Sequence, residues 1–202
     1  MLAKVVIASN NPGKLRELSA LLAPLGIEAR AQGDFAVTEA DEPHFTFVEN
    51  ALAKARNAAN ISGLPALADD SGLCVPALFG EPGVHSAYYA GREGDREMRD
   101  ARNNAKLVEQ LRAATDRRAF YYCALVLVRH RDDPTPVVAD AAWHGEIVLE
   151  ARGANGFGYD PYFQVSGTRL TAAEMPPGEK NRVSHRGRAL AALAAKLREA
   201  PR

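Results

Sequence analysis

The sequence predicts an α/β fold: a mixed, twisted central sheet with long hairpin strands, flanked by helices. Two observations carry that expectation. Near the N-terminus a short apolar run rich in β-branched residues leads at once into leucines at helical spacing. Further on, two long strand signals, near 119–130 and 137–150, are joined by a connection carrying Asp132-Asp133-Pro134, a hairpin arrangement. The 202 residues carry 25 basic and 25 acidic side chains, and 47% are hydrophobic, so the chain can bury a core and is not disordered. A formal net charge of +0 argues against nonspecific nucleic-acid binding, which needs a surplus of Lys and Arg. The length fits one domain, 1–202, with two lobes.

Residues 3–8 suit a strand buried on both faces. Asn11 is placed to cap the following helix, with Pro12 at its first position, where a missing N–H is no loss. Leu15, Leu18, Leu21, Leu22 and Leu25 define its apolar side, and Gly26 marks a stop. Residues 27–31 read as the next strand, followed by a polar loop with Glu39, Asp41 and Glu42. Thr46 and Glu49 have the spacing of a capping box and open an alanine-rich helix that ends near Gly63.

Residues 65–68 lead into Asp69-Asp70-Ser71-Gly72, whose residue types favour a tight turn, with a new strand from Leu73. Glycines and Pro82 predict a surface loop over 80–94. A charged helix near 95–112 has Met98, Ala101, Leu107, Val108 and Leu111 as its apolar side. After the hairpin come a glycine-rich segment, a short strand near 162–165, and an amphipathic helix near 186–199.

Cys74 and Cys123 form no CxxC pair, which excludes a disulfide scaffold and a cysteine zinc site. That usage fits a reducing compartment, and a cytoplasmic location is expected. The five histidines show no i, i+4 metal spacing. No apolar run approaches the ~20 residues of a membrane span, so no membrane partner is expected.

Four segments have residue types suited to chemistry. Ser9-Asn10-Asn11-Pro12-Gly13-Lys14 lies between strand and helix, where free N–H groups and the helix dipole favour an anion. Asp69 and Asp70, with Glu39, Asp41, Glu42 and Glu49 upstream, offer hard oxygen ligands for Mg²⁺. Gly156-Phe157-Gly158-Tyr159-Asp160-Pro161 combines glycines for close approach with aromatic faces for a base. Residues 179–188 gather Lys180, Arg182, His185, Arg186 and Arg188 near a helix start, where the dipole disfavours cations and an anionic counterpart is expected. Each segment also has an ordinary reading as a cap, a turn, a core aromatic or a solvated face. Together they are the inventory for a nucleoside triphosphate.

In this order the segments resemble the non-canonical purine NTP pyrophosphatases of the inosine triphosphatase type. Ser9 to Glu17 is similar to the pattern (T/S)-(G/N)-N-x-G-K-x-x-E, and Phe47-Val48-Glu49-Asn50-Ala51 with Lys54-Ala55 to F-x-E-N-A-x-x-K-A. Leu67 to Leu73, Gly156 to Pro161, Glu179-Lys180-Asn181 and Ser184-His185-Arg186 complete the match. Asn10 replaces a frequent Gly, which suggests a left-handed backbone that Asn tolerates.

The resemblance implies hydrolysis of ITP, dITP and XTP to monophosphate and pyrophosphate with Mg²⁺, a two-lobed fold with the active-site cleft between lobes, and a homodimer. It assigns phosphate binding to Ser9, Asn10, Asn11, Pro12, Gly13 and Lys14, and proton acceptance and metal binding to Asp70. Ser71, Phe157, Gly158, Tyr159, Asp160, Lys180, His185 and Arg186 are assigned to substrate. For the second metal ligand the resemblance favours Glu42 and leaves Glu49 as the alternative. Two other classes stay open: a non-catalytic purine-nucleotide-binding regulator, and a single-stranded nucleic-acid binder using Phe157, Tyr159 and the basic cluster.

Overall fold

A computed structural model describes residues 2–199. The strands are β1 (Lys4–Ile7), β2 (Glu28–Ala31), β3 (Ala66–Cys74), β4 (Arg118–Val128), β5 (Val137–Ile147) and β6 (Phe163–Val165). The helices are α1 (Pro12–Leu22), α2 (Phe47–Ser62), α3 (Arg96–Leu111), α4 (Pro177–Val183) and α5 (His185–Glu199). The strands form one sheet in the order β2-β1-β3-β4-β5-β6. β1 pairs in parallel with β2 and β3, whereas β5 and β6 are antiparallel, so the sheet is mixed, as expected. The two long strands, β4 and β5, are neighbours in it.

The chain forms two compact units. The first comprises the chain up to Asp70, Cys123–Ala141 and the chain from Arg186 on; the second comprises Ser71–Tyr122 and Ala142–His185. In the first unit the alternation of β1 explains why its run is apolar throughout. Val5 and Ile7 join Leu18, Leu22, Leu67, Leu125 and Leu193 in one core cluster. Val6 and Ala8 join Ala51, Ala55, Ala58, Ala68 and Val126 in another. Successive strand residues face opposite sides, and both sides are covered here. In the second unit Leu73, Leu107, Leu111, Tyr121, Trp143 and Phe163 form the core.

The helix ends follow their sequence signals. Asn11 accepts hydrogen bonds from the Gly13 and Lys14 amides and Pro12 opens α1. Thr46 caps α2, and Gly63, at φ +68°, ends it. Asp95 caps α3 by accepting from the Met98 amide.

Three expectations change. Asp69-Asp70-Ser71-Gly72 is not a turn but the middle of β3. Met98 is 55% exposed, and the inward face of α3 is Asn103, Asn104, Leu107 and Leu111. The two asparagines are inside because they bind loop backbone: Asn103 accepts from the Ala90 amide and donates to Ser86 and Ala87 carbonyls. Asn10 is not among the residues of positive φ, so no left-handed backbone is required there. Its carboxamide instead donates to Glu39 and accepts from Gln32.

Both cysteines are buried and unpaired with each other. Burial pushes the Cys74 thiol up to about 11 and the Cys123 thiol up to about 12. Since the thiolate is the nucleophile, the native protein at pH 8 should resist iodoacetamide, and both thiols should label in denaturant. Rapid native labelling of Cys123, read by mass spectrometry, would contradict this packing.

Candidate active site

In the first unit the site is built around β3. Asp69 and Asp70 are consecutive strand residues, so the pleat sends their carboxylates to opposite faces. Their partners follow that division. Asp69 Oδ2 lies 3.0 Å from Lys14 Nζ on α1 and 3.4 Å from Arg186 Nε on α5. Asp70 Oδ1 lies 3.0 Å from Lys54 Nζ, and its Oδ2 lies 3.4 Å from Asn50 Nδ2, both on α2.

The two carboxyls titrate in opposite directions. Burial works against ionisation of Asp69, but the charges of Lys14, Arg186 and Lys54 outweigh it and hold the carboxyl well below the usual range. At Asp70 burial wins over Lys54 and Lys14, and the carboxyl is raised. Asp69 is therefore a fixed anion and Asp70 the better proton acceptor.

Lys54, in the motif that opens at Phe47, is given no role by the resemblance. Its ammonium lies 3.2 Å from Glu42 Oε1 as well as 3.0 Å from Asp70 Oδ1, so two carboxylates converge on one cation. That donor set suits Mg²⁺, which is commonly held by one or two carboxylates with substrate phosphates and waters. Among the described residues no group of three or more His, Cys, Asp and Glu side chains gathers around a metal position. Glu49 is engaged elsewhere, its Oε2 accepting from the Thr46 hydroxyl at the α2 cap at 2.5 Å.

Asn50 couples the acidic loop to β3. Its Oδ1 accepts from the His44 amide at 3.0 Å, and its Nδ2 donates to the His44 carbonyl at 3.2 Å as well as to Asp70. Asn50 and Lys54 stand one turn apart, and that i, i+4 spacing was the available signal that both serve one face of α2.

At the start of α1 the Gly13 and Lys14 amides, the natural donors for an anion, are already taken by Asn11 Oδ1. Ser9 Oγ accepts from the Asn11 amide and shapes the same turn. The anionic counterpart expected for the basic segment is also found. Lys180 and Arg182 sit in the last turn of α4, where the dipole favours cations. Arg186 lies in the first turn of α5 and is balanced by Glu17 at 2.5 Å and by Asp69.

In the second unit the glycine-rich turn has Gly156 at φ +78° and Gly158 at φ +62°. A Cβ on Gly156 would fall 2.1 Å from Asp160 Oδ2, so this position admits only glycine. Asp160 is buried and accepts from the Phe157 amide, from Lys180 Nζ at 2.6 Å and from the Tyr121 hydroxyl. Tyr159 is buried in the core with its hydroxyl donating to the Ser86 carbonyl. Phe157 is half-buried, with the Arg96 guanidinium 4.3 Å from its ring centroid. His185 stacks on Tyr121 at 4.8 Å and lies 6.3 Å from Trp143. Ser71 is half-buried within β3.

Fold and site define an α/β protein in which lysines, arginines and carboxylates interlock around the middle of a central strand. The chain belongs to the Ham1 family, whose model matches residues 5–196. It is 63% identical over 197 residues to a dITP/XTP pyrophosphatase of Burkholderia pseudomallei, covering 98% of this chain and 94% of that one. It is 61% identical to a dITP/XTP pyrophosphatase of Nitrosomonas europaea, over 97% and 95% of the two chains. A solved HAM1 protein from Coxiella burnetii is similar with a TM-score of 0.90 at 48% identity, over 99% of this chain and all of that one.

Proposed function

We propose that this chain is a Mg²⁺-dependent pyrophosphatase of non-canonical purine nucleoside triphosphates (ITP, dITP and XTP) that removes them from the nucleotide pool. The observation that carries the reading is the convergence of Glu42 and Asp70 on a single cation, in a chain more than 60% identical to named dITP/XTP pyrophosphatases. Glu42 and Asp70 would hold the metal. When bound, Mg²⁺ supplies positive charge to phosphate oxygens and acidifies bound water.

Asp70 orients the attacking water and takes its proton as the oxygen reaches the α-phosphorus and the bond to the β-phosphate breaks. Its raised pKa, caused by burial, suits that task. Lys14, held by Asp69, neutralises charge developing on the phosphate oxygens, the largest catalytic contribution in such transfers. The turn from Ser9 to Gly13 would take further phosphate contacts once Asn11 Oδ1 yields the Gly13 and Lys14 amides, with Ser71 and Lys180 beside the substrate. Phe157 offers a ring face to the base; Gly158, Tyr159, Asp160 and His185 shape the surface around it. Arg186 acts through Asp69, since its own guanidinium is engaged in ion pairs. A donor facing the 6-keto oxygen of hypoxanthine or xanthine disfavours adenine by roughly 1–3 kcal/mol.

The reading extends to a cytoplasmic homodimer, which sedimentation would check. No described helix is long and apolar enough to cross a membrane. The deciding experiment measures pyrophosphate release from ITP, XTP, dITP, ATP and GTP with and without Mg²⁺. Metal-dependent release from the first three well above ATP is expected. Nucleotide binding without release would instead make the chain a purine-nucleotide-binding regulator.

A further inference from the structure

We propose that Asp100 and Asn104 of α3 are positioning residues for nucleobase recognition, holding the backbone on both sides of Gly158 and so fixing the ring of Phe157. The proposal rests on the reading of Phe157 as the surface that meets the base. Asp100 Oδ2 accepts from the Gly158 amide at 3.0 Å, and Asn104 Nδ2 donates to the Gly158 carbonyl at 2.9 Å. The amide belongs to the peptide that follows Phe157, and the carbonyl to the peptide that precedes Tyr159.

One turn earlier Arg96 lies over the Phe157 ring, and its Nε is 3.8 Å from Asp100 Oδ2. Arg96, Asp100 and Asn104 therefore form one stripe at i, i+4 and i+8 along the helix. None of the three is placed in contact with the reacting phosphates.

The turn needs such support. Gly158 adopts φ +62°, yet a Cβ there would meet nothing within 4 Å. Its conformation is not enforced by crowding, and glycine has more backbone freedom to lose than any other residue. Two hydrogen bonds from a rigid helix order the turn before a ligand arrives, which lowers the cost of binding. Asn104 Oδ1 is buried without a hydrogen-bond partner, so this side chain serves through its N–H alone. The chemistry is thus directional: an acceptor is required at 100 and a donor at 104.

The test uses the Mg²⁺-loaded protein with dITP and XTP, together with amide exchange at Gly158 in the nucleotide-free protein. Asp100→Ala and Asn104→Ala should each raise KM about tenfold, the effect of losing one such hydrogen bond, with a much smaller change in kcat. Both should speed exchange of the Gly158 amide. Asp100→Asn keeps an acceptor and should restore the low KM. Asn104→Asp has the same shape but no donor, and should behave like Asn104→Ala.

An unchanged KM in the alanine variants, or equal behaviour of Asp100→Asn and Asn104→Asp, overturns the proposal. So does a fall in kcat that tracks loss of thermal stability. Phe157→Ala separates the two readings. If it leaves KM for dITP unchanged, the base assignment itself fails; if it raises KM while the α3 variants do not, only the positioning role fails.

Discussion

Asp70→Asn is expected to lower kcat for pyrophosphate release by about 10³-fold or more while leaving the thermal unfolding midpoint nearly unchanged. The kinetic loss has two sources. A carboxamide cannot accept the proton of the attacking water, and general-base catalysis alone is worth about 10²–10⁴ in rate. It also removes one of the two carboxylates, now converging on the Lys54 ammonium, that would hold Mg²⁺. The fold should survive because burial already disfavours the ionised carboxyl, as its raised pKa records. The new amide oxygen can still accept from Lys54, which keeps its pairing with Glu42. Side-by-side measurement of kcat, nucleotide affinity and unfolding midpoint checks this. A variant with near-normal release would remove Asp70 from the reaction.

The capped helices were legible because their signals are local. Asn11, Thr46 and Gly63 each act on backbone within a few residues, and each does so here. The long strands were legible for a similar reason, since β-branched and aromatic runs suit a pleated, buried surface.

Asp69-Asp70-Ser71-Gly72 was not. These residue types favour turns when judged alone, but β3 lies between β1 and β4 in the sheet. Cations from α1, α2 and α5 compensate the two carboxylates there, and tertiary context overrides the local preference.

The candidate site shows the same limit. The motif segments supplied Lys14, Asp70 and Arg186, but their partners come from far along the chain. Arg186 meets Asp69 across 117 positions, and Lys54 meets Asp70 across 16. Local spacing carries no information about such pairings. Met98 and Asn104 show the reverse error, in which hydropathy alone assigned the apolar side of α3. The side chains turned inward include two that bind loop backbone.

The second large effect concerns the ion pairs under this site. Arg186→Met is expected to destabilise the protein by about 3–5 kcal/mol, the usual consequence of removing one partner from a buried pair. The reason lies in local charge. Lys14, Asp69, Arg186 and Glu17 form a balanced set of two cations and two anions. Deleting Arg186 leaves Glu17 without this ion pair and the wholly buried Asp69 with Lys14 and the weaker influence of Lys54. Asp69→Asn unbalances the set the other way, leaving the buried guanidinium with Glu17 as its carboxylate partner.

The double variant Asp69→Asn/Arg186→Met restores neutrality, with Lys14 and Glu17 remaining, so its loss should be smaller than the sum of the two single losses. Urea denaturation of the four proteins measures the coupling directly. Asp69 also adds an acid signature. Because its folded pKa is depressed, its stabilisation is present above the unfolded value of about 3.9 and fades as pH falls below it. That acid-side loss should be shallower in Asp69→Asn. Strictly additive losses would mean that Asp69 and Arg186 do not stabilise one another, and an unchanged acid slope that Asp69 gains no stability from the cations around it.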